Sequence, residues 1–177
     1  MSIQKVNELL QEAKQIAMKS GGDSGELNKS IQKNRNALLL AKKLTENDPN
    51  VILHWQLFFG CMGQSGVWEA SDGDFHEKQL EVVENLIRLN PEDNDDYYKG
   101  SFFEPDYADE GGLYYFKFQA LCDLYYFGVE EEGWPDSIHG RIAKEAIEKA
   151  AELHPDTIDF LIEEAEAVDI DLSYLEN

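Results

Sequence analysis

With 36 Asp and Glu against 15 Lys and Arg in 177 residues, the chain carries a formal charge of −21. A field of that sign repels phosphate backbones and anionic lipid headgroups, which argues against nucleic-acid and membrane partners and for basic proteins or divalent cations. The apolar share of 42%, with 11% aromatic residues, suits a chain that buries a core rather than a disordered one.

The charge is uneven. Residues 1–66 hold eight Lys/Arg and six Asp/Glu, and residues 67–177 hold seven and thirty. Length alone suggests one domain, 1–177, with a near-neutral part (1–66) and a strongly acidic part (67–177). Acidity also confers solubility by itself, and that reading stands beside a functional one.

In chain order, Ile3, Val6, Leu9, Leu10, Ala13, Ile16 and Ala17 form the stripe of a helix over Ser2 to Lys19. This start, MSIQKVNELLQEAKQ, has no apolar signal core, so a cytoplasmic protein is expected. Three glycines in SGGDSG (20–25) break the pattern. A second helix is expected over Glu26 to Glu46, with Ile31, Leu38, Ala41 and Leu44 inward, ended by Asn47-Asp48-Pro49. VILHWQLFFGCM (51–62) is apolar nearly all round and reads as a buried helix, with a strand as the alternative. After a glycine-rich loop, Phe75, Leu80, Val83, Leu86 and Ile87 mark a fourth helix, Asp74 to Leu89. LYYFKFQALCDLYYF (113–127) reads as a fifth, although YYFKF would also suit a strand. Pro135 sits where a sixth helix, running to Leu153, has its first turn, with Ile138, Ile142, Ala146, Ile147 and Ala150 as its core stripe. A seventh covers about 156–168, and Ile170, Leu172 and Leu175 in the tail are spaced to dock. The expected class is all-α, about seven helices in antiparallel pairs.

Three of these helices end alike: LLLAKKLTENDPN (38–50), LEVVENLIRLNPED (80–93) and AKEAIEKAAELHPDT (143–157). The second and third resemble the close of the second helix in a tetratricopeptide repeat, a unit of roughly 34 residues. The prolines at 49, 91 and 155 depart from that period, and the landmarks of the repeat's first helix are missing. The resemblance implies a short TPR-like array, but these departures favour an irregular bundle; in either case the helix pairs stack in an antiparallel layer.

Catalytic and metal patterns are weak. Cys61 and Cys122 are far apart and read as buried free thiols. The four histidines supply no zinc-ligand spacing. DGDFHE (72–77) is acidic enough for a metal, but capping of the fourth helix explains the same residues. A calcium loop begun at Asp106 fails at Ala108 and Lys117. GCMGQSG (60–66) lacks the Lys of a phosphate loop. The expectation is no enzyme, no metal and no cofactor.

Recognition remains. PEDNDDYYKGSFFEPDYADEGG (91–112) interleaves eight carboxylates with five aromatic residues, and EEEGWPD (130–136) sets three glutamates before a tryptophan. Aromatic anchors give rigid contact area, and flanking carboxylates speed the approach of a basic partner. The candidate partner-binding residues are Asp95, Asp96, Tyr97, Tyr98, Glu104, Asp106, Tyr107, Asp109 and Glu110 in the first stretch, and Glu130, Glu131, Glu132 and Trp134 in the second. Whether Tyr97, Tyr98, Tyr107 and Trp134 face a partner or fold back into the core is left open by the sequence, whereas Phe102 and Phe103 read as core. In size and charge the chain looks like the small acidic bacterial immunity proteins that neutralise a basic toxin, possibly a nuclease. That likeness implies masking of the toxin's active or substrate-binding surface. The alternative is a TPR-like adaptor holding a peptide in a helical groove.

Overall fold

The structure is a computed structural model that describes residues 2–64, 74–94, 111–128 and 132–175. Among these residues the chain is all-α, with seven α-helices, one π-helical turn, two short 3₁₀ turns and no strand. They fall into two compact units, residues 2–64 and residues 74–94 with 111–128 and 132–175. The division lies close to the charge boundary: the described residues of the first unit hold eight Lys/Arg and six Asp/Glu, those of the second six and nineteen. No described helix is long and apolar enough to cross a membrane.

In the first unit, α1 (Ile3–Lys19) starts at Ser2, whose hydroxyl accepts from the Lys5 N–H, and buries Val6, Leu9, Leu10 and Ala13. The α2 helix (Ser24–Asn47) begins two residues earlier than the glycine signal predicts. Gly21 (φ +57°) and Gly22 (φ +95°) make the turn, while the Asp23 carboxylate caps the helix by accepting from the Glu26 N–H at 3.0 Å. Gly25 therefore lies inside the first helical turn. Across the pair, Ser30 Oγ donates to the Ala13 carbonyl (2.8 Å) and Lys33 pairs with Glu12 (2.6 Å), fixing an antiparallel register. The apolar segment at 51–62 is helical, as α3 (Ile52–Met62). Trp55, Leu57, Phe58, Cys61 and Met62 are buried, and the Trp55 indole donates to the Pro49 carbonyl at 2.8 Å.

In the second unit, α4 (Phe75–Leu89) buries Val82, Val83 and Leu86. The expected fifth helix is two elements: α5 (Gly112–Leu121), then a π-helical turn (Cys122–Phe127). The sixth helix, α6 (Ile138–Leu153), starts later than Pro135 suggested. Its N-cap is Ser137, which accepts from the Gly140 N–H at 3.0 Å, so Pro135 lies outside the helix. Ile138, expected in the core, is 60% exposed. Ala146, Ile147 and Ala150 are buried as expected, joined by Ala143 and Ala151, and the alanines let α5 and α7 (Ile158–Glu166) approach closely. The tail docks: Ile170 and Leu172 are fully buried in the same core. Both cysteines are free and buried.

Candidate functional site

The second unit gathers aromatic side chains where the π-helical turn meets the start of α6. Leu121 and Cys122 point inward and anchor the turn. Gly128 closes it; a Cβ there would come within 2.7 and 2.8 Å of the carbonyl oxygens of Asp123 and Leu124, so the close approach of backbone requires glycine. The extra residue per turn of a π-helix shifts the following side chains around the axis, and such turns recur at functional sites.

Tyr125 stacks flat on His139 of α6, ring centroids 3.6 Å apart and 3° from parallel. Tyr126 lies 5.6 Å from the Trp134 ring, and Phe127 meets Tyr126 edge-on at 4.8 Å. Phe127 is 64% exposed, so this cluster ends in a large apolar side chain in water. Two carboxylates belong to it. Asp123 Oδ2 lies 3.2 Å from His76 Nδ1, off the line of a hydrogen bond, so that pairing is electrostatic. Burial raises the Asp123 carboxyl above its ordinary value, against the lowering pull of His76. Tyr126 donates to Asp169 at 3.3 Å, and the Asp169 charge raises the phenol. Glu132 and Asp136 are exposed on the turn before α6.

Two of the expected partner residues lie on the turn before α6. Glu132 is solvated. Trp134 is half-buried: its indole N–H donates to the Val168 carbonyl at 2.8 Å and its ring packs on the core, so this side chain also holds the tail in place. Asp95, Asp96, Tyr97, Tyr98, Glu104, Asp106, Tyr107, Asp109, Glu110, Glu130 and Glu131, together with Phe102 and Phe103, lie outside the described residues.

The residues flanking 95–110 are firmly held. Asp93, in the left-handed region (φ +50°) and buried, uses Oδ2 to accept from the Leu113 N–H at 2.7 Å and to contact His154 Nε2 at 3.1 Å. It thus caps α5 from twenty residues away, and it joins the ends of α4, α5 and α6. Its other oxygen is buried without a hydrogen-bond partner. Asn90 brackets Asn94 by accepting from its N–H (3.0 Å), and Tyr114 donates to the Pro91 carbonyl (2.9 Å). The chain before and after the acidic segment is therefore drawn together on one rigid base.

Sequence reading missed Phe127, Ile138, the Tyr125–His139 stack and the Asp93–His154 tie. The available signal for Phe127 was its place beside Gly128 at the end of an aromatic run. Among the described residues no three His, Cys, Asp or Glu side chains converge as metal ligands. Asp74 makes no capping hydrogen bond to α4, so capping does not account for that residue. Comparison with protein-family models, curated proteins and solved structures finds no match.

Proposed function

We propose that this chain is a non-enzymatic binding protein whose acidic unit captures and masks a basic protein partner. The observation that carries the reading is the coincidence of charge and exposed apolar anchors: nineteen carboxylates against six cations on the unit that also displays Phe127 and Ile138. Carboxylates steer a cationic surface in, and desolvated apolar anchors then slow its release. In this it is similar in kind to acidic immunity proteins that neutralise a basic toxin by covering its active or substrate-binding surface.

Affinity selection with the full chain, followed by identification of the bound protein, tests the reading. The expected partner is basic. Replacing Phe127 and Ile138 together by Ser is expected to weaken it about tenfold or more while leaving the melting temperature within a few degrees. Converting Asp95, Asp96, Asp106 and Asp109 together to Asn is expected to slow association. A neutral or acidic partner, or one indifferent to both sets of substitutions, refutes the proposal.

A further inference from the structure

The π-helical turn holds a carboxylate that is only half solvated and makes no hydrogen bond. The Asp123 side chain is 39% exposed. Neither of its oxygens accepts a hydrogen bond among the described residues, yet neither is sealed from solvent. His76 is the one described side chain that brings a positive charge to it, and its Nδ1 approaches at 3.2 Å without the alignment of a hydrogen bond. Half-burial therefore raises the Asp123 carboxyl in spite of His76, the mark of a charge that lacks full solvation.

The same turn carries Phe127. Hydrogen bonds from i to i+5 put about four residues in each turn of a π-helix, so Asp123 and Phe127, four apart, leave the backbone on one side. Phe127 is the more exposed of the two. The turn thus presents an open carboxylate and, one turn on, an exposed aromatic ring.

An arginine suits that pair. Its guanidinium is planar, offers two parallel N–H groups to the two oxygens of one carboxylate, and stacks on aromatic faces. Lysine brings a strongly hydrated point charge, which answers the field of the unit but not this geometry. The unit as a whole, with nineteen carboxylates and six cations, draws in a cation of either kind. We propose that Asp123 and Phe127 form a receptor for one arginine side chain of the basic partner: the guanidinium pairs with the Asp123 carboxylate and lies against the Phe127 ring. This rests on the reading of the chain as a binder of a basic protein, and adds which cation the face selects and where.

The test compares two probes of equal charge, the end-blocked hexapeptides of arginine and of lysine. Each is titrated into the full chain at about 0.15 M sodium chloride and followed by NMR at the Phe127 ring and the Gly128 amide. Hexaarginine is expected to bind about fourfold more tightly than hexalysine. Asp123→Asn and, separately, Phe127→Leu are each expected to bring that ratio to about one, while changing the affinity for hexalysine by less than about twofold. Asp136→Asn, which neutralises an exposed carboxylate on the turn before α6, should leave the ratio intact. Asp123→Asn should not lower the melting temperature, because burial already disfavours its charge, so a lost preference is not a loss of fold. Equal affinities of the two peptides for the native chain, or a preference that survives either substitution, overturns the arginine receptor and leaves the acidic unit as a binder of basic partners. Failure of both peptides to bind even at about 0.02 M salt overturns that broader reading and the receptor with it.

Discussion

Asp93 illustrates how one side chain can organise three elements. Its carboxylate serves the Leu113 N–H and the His154 ring together, and the backbone beside it must come very close to make that possible. Gly112 has φ +71°, and a Cβ there would fall on the Asp93 carboxylate and the His154 ring. Gly112→Ala is therefore expected to destabilise the fold by about 3 kcal/mol, from the left-handed backbone penalty and loss of the charge-assisted bond. Asp93→Asn is expected to cost about 2 kcal/mol. Because both act on one network, the double variant should lose less than the two separately, as read by urea unfolding. The thiols give a second residue-scale expectation. Burial pushes Cys61 and Cys122 up to about 12 from an ordinary value of 9.0. Folded thiols so raised hold their protons where unfolded ones ionise, so their contribution to stability is present below pH 9 and lost as pH rises from about 9 to about 12. At pH 8 neither thiol should react with a disulfide reagent until denaturant is added; fast labelling of the native protein would contradict the buried placement.

Among elements, the helices were legible because their apolar spacing is strong and their stops are proline or glycine, but the π-helical turn was not. LYYFKFQALCDLYYF is apolar on nearly every side, so its pattern could not show where the backbone widens. Ile138 shows a different limit. It lies nine residues from Ile147, two and a half turns at 3.6 residues each, which puts it on the opposite side of α6 from the centre of the buried stripe. The i, i+4 run Ile138–Ile142–Ala146–Ala150 is apolar throughout and so concealed that rotation. The Asp93–His154 tie was invisible for a simpler reason: its members are 61 residues apart, and Asp93 was one of eight similar carboxylates. The two kinds of aromatic at the π-turn can be separated experimentally. Trp134→Ala removes packing and the bond to Val168, and is expected to cost about 3 kcal/mol. Phe127→Ala removes an exposed ring and is expected to change stability by less than about 0.5 kcal/mol while lowering partner affinity. Equal losses of stability in the two variants would remove Phe127 from the partner face.

For the whole molecule, the uneven charge sets two responses to salt that run in opposite directions. The second unit has nineteen carboxylates and six cations among its described residues, so its carboxylates outnumber the cations that could neutralise them. Its described lysine–glutamate pairs, such as Lys149–Glu152 and Lys117–Glu84, are on the surface, where screening costs each less than about 1 kcal/mol. Self-repulsion is the larger effect, and raising ionic strength from about 0.01 to 0.5 M shortens the Debye length from about 30 Å to a few Å. The melting temperature is therefore expected to rise with sodium chloride by several degrees, measured by circular dichroism. Association with a basic partner depends on the same unscreened field, and its rate constant is expected to fall by about tenfold or more over the same range, measured by stopped-flow fluorescence. Since the protein is more stable where it binds more slowly, unfolding cannot account for the lost rate. A rate constant independent of salt would mean that the carboxylates serve solubility and that recognition rests on the apolar face alone.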